Sequence, residues 1–418
     1  RTGGFPQRNL GRALALSLGR EARRKGRGGV SPFGSLMTAL ASTVGTGNIV
    51  GVAAALVSGG PGALVWMELA ALLGLAAKFA ECMLAVKYRR VRRDGTRWGG
   101  PMAVMETRLG SAGAVLGRFY ALFALLMAFA MGAMAQSGAL ADTFSAAFTL
   151  PRWRVGLVTA ALALTILLGG IRRIAEISTV LVPVMALLYL GGGLAVILGN
   201  LRRLPEALIL MLRCAVAPEA ALGGALGIVT RREALRWGVA RSVFSNEAGL
   251  GSAAITAACA DTDEPVKQGL ISMTGVFFDT MVICTVTGLA ICCSGTLGAA
   301  DGNGHPLTGA ALTLRAFETV LGPLAPWLIG VALGLFAFTS VLGCAVQAET
   351  TASYLLGPEA VRPCRVLYGL AVFAGAVIPM ATVLQLADLA NALMAFPNLV
   401  CLLLLSGEIA GECGRKER

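Results

Sequence analysis

Residues 38–51 read Thr-Ala-Leu-Ala-Ser-Thr-Val-Gly-Thr-Gly-Asn-Ile-Val-Gly and sit midway along an apolar segment spanning 33–57. Gly45 and Gly47 lie one residue apart, flanked by Thr43, Thr46 and Asn48. In hydrocarbon every backbone polar group needs a partner, so a helix breaks at that depth only where protein or ligand satisfies the freed groups. Glycine gives the permissive backbone, while Thr and Asn give oxygens and an amide suited to ligation. A broken helix of this kind is the expected substrate and cation site of a secondary transporter.

The rest of the 418-residue chain agrees with that setting. It is 56% hydrophobic and 14% charged, with a mean hydropathy of +0.74. Soluble domains carry roughly 25% charged residues, so a polytopic helical membrane protein is the class that fits. Apolar runs of about 20 residues are predicted at ten places: 33–57, 61–87, 115–140, 153–171, 177–199, 222–259, 266–294, 324–356, 363–380 and 383–407. Residues 201–218 read as an interfacial amphipathic helix with Leu204, Leu208, Met211 and Leu212 along one side.

The net charge of +12 is explained by where the charges fall. Clusters at 1–31 and 87–108 are short and flank apolar spans, as cytoplasmic loops do. They point to an anionic lipid surface and a cytoplasmic amino terminus, and away from nucleic acid. Seven arginines around the sixth span weaken that asymmetry without reversing it. Most of the ten cysteines stand singly inside apolar runs and read as buried free thiols. The one histidine, His305, lies in a Gly-rich loop without His or Cys neighbours, which argues against zinc and against a metal-dependent enzyme. The chain starts at Arg1 with a basic, amphipathic stretch, which suggests that an upstream segment is missing.

Ten spans divide into two halves of five, and the first span of each half carries a Gly-rich interruption. Interrupted helices in corresponding positions are the pointer to an inverted repeat with a midplane site. The expected layout is a basic cytoplasmic or interfacial segment at 1–32, repeats at 33–199 and 222–407, a connector at 200–221 and a cytoplasmic tail at 408–418. In span one, the start of the second half-helix near Gly47 and Asn48 favours a carboxylate. The end of the first half, near Ala41 and Val44, offers carbonyls to a cation. In span six, Ser245, Asn246 and Glu247 precede Gly249 and Gly251. Glu247 is an intramembrane acid with Arg241 as the expected partner, either as a functional group or as a buried lock.

Span eight has adjacent hydroxyls, Thr339 and Ser340, which with the Phe336 carbonyl could complete a sodium shell or serve as ordinary interhelical bonds. Gln136 could reach substrate or a neighbouring helix, and Asp279 could be a proton relay or a hydrogen-bonded structural acid. Lys78 and Glu81, three residues apart, read as a structural pair at the inner end of span two.

These stretches, together with Gly59-Gly-Pro-Gly-Ala, Lys78-Phe-Ala-Glu, Leu84-Ala-Val-Lys-Tyr-Arg, Gly99-Gly-Pro-Met, Gly238-Val-Ala-Arg, Phe244-Ser-Asn-Glu-Ala-Gly-Leu-Gly, Asp279-Thr-Met-Val-Ile-Cys-Thr, Leu307-Thr-Gly-Ala-Ala-Leu-Thr and Met394-Ala-Phe-Pro-Asn, resemble the alanine or glycine:cation symporter family. The resemblance covers nearly the whole chain. It implies membership of the amino acid–polyamine–organocation group, an all-α leucine-transporter-like fold of 5+5 inverted repeats with spans one and six broken, and residence in the cell (inner) membrane. By the same resemblance Ala41, Val44, Phe336, Thr339 and Ser340 would hold sodium. Thr43, Thr46, Gly47, Asn48, Gln136, Phe244, Ser245 and Asn246 would surround a small neutral amino acid. Sodium is the coupling ion implied, with no organic cofactor. Cys344 stands where the family pattern has Trp, and Ala254 and Thr256 also depart from it, so a larger substrate side chain is a possibility the pattern leaves open. A proton-coupled permease using Glu247 or Asp279, and a non-transporting sensor or channel, are the alternatives.

Overall fold

The computed structural model describes residues 1–24, 30–91, 95–216, 219–221, 228–302, 304–378 and 380–417. Two short helices, α1 (Phe5–Arg8) and α2 (Leu10–Leu18), precede the first span. That span is a pair: α3 (Pro32–Thr43) and α4 (Val50–Gly59), bent by 63° about the turn Thr46–Asn48. Ser31 caps α3 by accepting the Gly34 N–H at 3.1 Å, and Pro32 follows at the first helical position, where its missing N–H costs nothing.

Next come α5 (Gly62–Lys87), the hairpin β1 (Arg90–Val91) and β2 (Arg97–Trp98), and α6 (Pro101–Met127). A π-helical segment, Ala128–Ala135, joins α6 to α7 (Gln136–Phe148). The first half ends with α8 (Arg152–Leu167) and α9 (Gly170–Gly199). The connector holds α10 (Leu204–Val216) and the paired strands β3 (Glu219–Ala221) and β4 (Ile228–Thr230).

The second half follows. Helices α11 (Arg231–Asn246) and α12 (Ser252–Ala258) form its broken span. Helices α13 (Pro265–Val276) and α14 (Thr285–Ser294) are joined by a second π-segment, Phe277–Cys284. Then follow α15 (Gly309–Leu321), α16 (Ala325–Leu356), α17 (Val361–Val377), α18 (Met380–Leu404) and α19 (Ser406–Glu417). Among the described residues seven helices are long and apolar enough to cross a membrane, or eight with the bent first pair counted as one. The chain is a multi-pass membrane protein.

Both broken spans pack together: α4 lies against α11, α3 against α12, and α5 runs beside α11, α12 and α13. Helix α16 packs on α3, α7 and α9, and α17 on α8. Small residues make these crossings close. A side-chain carbon added to Gly343 of α16 would fall 2.4 Å from the Ser42 nitrogen of α3, so only glycine permits that approach. Large apolar side chains such as Leu73, Leu187 and Leu403 face outward instead, as expected where lipid is the surrounding solvent. At one end of the molecule Arg89 and Arg97, flanking the β1–β2 turn, bind Asp261 and Asp263 just beyond α12.

Several sequence expectations need correcting. Within span six the described residues begin with β4 rather than helix, and Thr230 and Glu233 form a reciprocal cap that opens α11 at Arg231. Residues 222–227 lie outside the described ones. Helix α15 was not anticipated, because its apolar stripe is short and polar on the other side; it packs against α4, α9 and α14. In α10 the buried side holds Ala207, Met211, Cys214 and Ala215, while Leu208 and Leu212 point outward. The reason is steric: Gly62 of α5 presses against the Cys214–Ala215 backbone, so small residues occupy the contact.

Candidate functional site

The first break begins where α3 ends. Val44 leaves helical geometry at ψ 88°, Gly45 is extended, and a single turn Thr46–Asn48 leads into α4. Asn48 organises this turn and is buried. Its Oδ1 accepts the Gly45 N–H at 3.1 Å. Its Nδ2 donates to Asp279 Oδ1 at 2.7 Å and lies 3.2 Å from Ser245 Oγ. Asp279, on the second π-segment, also accepts Ser245 Oγ at 2.6 Å and Thr280 Oγ1 at 3.0 Å. One buried carboxyl therefore ties the first break to α11 and to the α13–α14 span. A π-bulge adds a residue to a helix turn, a distortion frequent at functional sites.

The open end of α3 meets α16. Ser340 Oγ lies 3.5 Å from the Val44 carbonyl oxygen, and Gly343 passes directly over Ala41 and Ser42. Thr339 Oγ1 donates to the Phe336 carbonyl at 3.0 Å, and Met185 Sδ of α9 is 3.2 Å away. Ala41, Val44, Phe336, Thr339 and Ser340 are all buried. The oxygens brought together here, the Val44 and Phe336 carbonyls and the Thr339 and Ser340 hydroxyls, are all neutral. Neutral oxygens of this kind can replace the hydration shell of a monovalent cation.

A cavity of ≈ 400 Å³ opens beside the first break, lined by Thr46, Gly47, Gln136, Arg241, Phe244, Asp142 and Thr143, among others. Thr46 Oγ1 donates to Gln136 Oε1 at 3.2 Å. A side-chain carbon on Gly45 would come within 2.8 Å of Ser340 Oγ and 3.3 Å of Gln136 Nε2. Four of the eight residues expected around the amino acid (Thr46, Gly47, Gln136 and Phe244) line this cavity. Asn48, Ser245 and Asn246 do not line it and are buried in hydrogen bonds within the protein, Asn246 bordering a separate cavity between α5 and α11. Thr43 turns back to the Ala39 carbonyl at 3.2 Å. Cys344 does not line the cavity; it packs on Gly132 of the first π-segment and near the Tyr368 hydroxyl in the core.

The second break runs from Glu247 to Gly251. Glu247 takes left-handed geometry at φ 53°, and Gly249 and Gly251 have φ of 87° and 79°. Such angles are cheap for glycine and costly for glutamate. Here the expected Arg241–Glu247 pair is not formed. Six residues on a helix turn through about 240° beyond one full circle, which places the two on different faces. Arg241 lies over the Trp237 and Phe244 rings and faces the cavity, while Glu247 turns inward and accepts from Ser252 Oγ.

The partner that sequence reading missed is Glu81. Its Oε2 accepts the Gly249 and Gly251 N–H groups, each at 3.1 Å, and the Asn398 amide of α18 at 3.2 Å. Asn398 also donates to the Gly249 carbonyl at 2.8 Å. Lys78 Nζ stands 3.6 Å from the other Glu81 oxygen. This pair is buried at the core of the second break, not at a helix end.

Residues 1–414 match the family described as Sodium:alanine symporter family. A Methanococcus maripaludis protein described as Sodium/alanine symporter AgcS is 41% identical over 98% of this chain and 89% of its own length. An uncharacterized transporter of Haemophilus influenzae is 45% identical over 96% of this chain and 86% of its own. Among solved structures, MhsT in complex with L-phenylalanine aligns with a TM-score of 0.59 over 91% of this chain and 99% of that one, at 14% identity. That likeness speaks for the fold: an all-α, leucine-transporter-like membrane protein with interrupted first and sixth spans. With two broken spans packed against each other and the match running almost end to end, the chain belongs to the sodium:alanine symporter family, whose members are cation-coupled amino acid transporters and not enzymes.

Proposed function

We propose that the protein is a sodium-coupled symporter of small neutral amino acids such as alanine or glycine, working by alternating access. The observation that carries this reading is the approach of Ser340 of α16 to the Val44 carbonyl at the open end of α3. Sodium there would be held by Ala41, Val44, Phe336, Thr339 and Ser340, joining the first broken span to α16. The amino acid would lie across both breaks, with Thr43, Thr46, Gly47, Asn48, Gln136, Phe244, Ser245 and Asn246 around it. Its carboxylate suits the amino-terminal end of α4, where helix N–H groups are free and the dipole is positive.

The two five-helix repeats, 33–199 and 222–407, joined through the connector at 200–221, would enclose that site, and rocking of one bundle against the other would release ion and substrate inside. Residues 1–32 and the tail at 408–418 would lie on the cytoplasmic side of the cell (inner) membrane, which the basic clusters support. The relative described as a sodium/alanine symporter supports both ion and substrate. Radiolabelled alanine uptake into proteoliposomes, with and without an inward sodium gradient, tests the reading. Concentrative uptake that needs sodium is the expected result. Uptake that follows a pH gradient and ignores sodium would replace it with a proton-coupled permease.

A further inference from the structure

The second break encloses a set of charges that the sodium reading does not use. Lys78 and Glu81 of α5 and Glu247 at the end of α11 are all buried, and one ammonium stands beside the Glu81 carboxyl and within electrostatic reach of the Glu247 carboxyl. Glu81 is well provided for as an anion: three N–H donors reach Oε2, and Lys78 flanks its other oxygen. Among the described residues Glu247 has the Ser252 hydroxyl and no cation bonded to it. Three buried polar atoms at this place have no hydrogen-bond partner: Lys78 Nζ, Glu81 Oε1 and Tyr120 Oη. The Tyr120 hydroxyl is aimed at the break, 2.9 Å from where a side-chain carbon on Gly251 would stand.

A buried, unbalanced negative charge is costly in low dielectric and is relieved by a cation or a proton. A sodium ion would share its shell with the Lys78 ammonium, which repels it. A proton needs no shell and no cavity. We propose that this cluster is a proton-binding site at the hinge of the second broken helix, with Glu247 as the group that carries the proton. The groups within electrostatic reach of Glu247 are Lys78 from α5, Tyr120 from α6 and Cys344 from α16, while Glu81 from α5 stands on the Gly249 and Gly251 amides of the same turn. Asn398 from α18 completes the shell around the turn. Glu247 and Ser252 close the two half-helix ends on each other, so their contact changes whenever α12 moves against α11. The costly left-handed backbone at Glu247 fits a residue kept for function. The inference takes the moving hinge from the transport reading, but the site itself is tested without transport.

Infrared spectroscopy of the purified full chain in lipid reads protonated carboxyls directly. The carbonyl-stretch band of a protonated carboxyl should lose one component in Glu247→Gln, and should keep it, displaced, in Glu247→Asp. Glu81→Gln should retain the component. A Glu247→Gln spectrum identical to wild type in this region overturns the proposal. Should Glu247→Gln fail to fold, Ser252→Ala leaves the acid in place and removes its hydrogen-bond partner, so the component must move; an unmoved band overturns the proposal equally. Alanine uptake by the same wild-type preparation separates the two claims. A band assigned to Glu247 in a protein without sodium-driven uptake supports the proton site and counts against the transport reading.

Discussion

The two breaks solve the same problem with different chemistry. At the first, Val44 to Ile49, the turn is held by neutral groups: Asn48 bonds the Gly45 amide, and Thr46 bonds Gln136. The nearest acid, Asp279, is one residue removed and shared with Ser245. At the second, a carboxylate from another helix grips the backbone itself, as Glu81 takes two turn amides and Asn398 takes a carbonyl. The difference separates holding from binding. Neutral oxygens at the first break are left facing α16 and the cavity, whereas the polar groups of the second are largely consumed by the protein.

That contrast is most directly broken by Glu81→Ala. The variant leaves two break amides and a buried lysine without their acceptor, a loss of about 3–5 kcal/mol. Chemical unfolding in detergent should show it, and Glu81→Gln, which returns an acceptor to the turn amides but no counter-charge to Lys78, should recover only part of the stability. A Glu81→Ala protein as stable as wild type would mean the charge does not hold the second break. Asn48→Ala comes next. It frees the Gly45 amide and one Asp279 oxygen, at about 1–3 kcal/mol for each unsatisfied group. The protein should remain foldable but take up no alanine.

Two glycine substitutions sharpen the comparison within the first break. Gly45→Ala puts a methyl group against Ser340 Oγ, although its extended backbone admits any residue. Uptake should fall strongly while thermal stability changes little. Gly47→Ala meets only the Phe244 ring at 3.3 Å, a side chain able to shift. Its effect should be the smallest of the four, a modest rise in the apparent KM for alanine.

Much of this arrangement is legible in the chain. Paired glycines beside hydroxyls and amides mark both breaks, Gly249 and Gly251 for their left-handed backbone and Gly45 for the close approach of Ser340 and Gln136. Thr339 and Ser340 are visible as adjacent hydroxyls. What local pattern could not show is who meets whom across space. Glu81 lies 168 residues from Gly249 and Asn398 lies 317 residues from Glu81, so neither contact leaves a periodic signal. Glu81 shows in the sequence within Lys78-Phe-Ala-Glu and as the i, i+3 neighbour of a lysine, which reads as a local pair. Arg241 and Glu247 misled for the opposite reason: nearness in sequence suggested a bond that helix geometry forbids. The role of Asp279 as the link between breaks is set by a π-segment, which composition does not announce.

The central claim is that the carbonyl end of α3 and the hydroxyls of α16 form the sodium site. Binding of radiolabelled sodium to purified protein tests it without any requirement for turnover. Wild type should bind sodium, while Thr339→Ala and Ser340→Ala should each weaken it by on the order of ten- to a hundredfold, the worth of one lost polar contact to a charge. Glu247→Gln should bind it as wild type does. Undiminished sodium binding by the combined Thr339→Ala, Ser340→Ala protein would contradict the account.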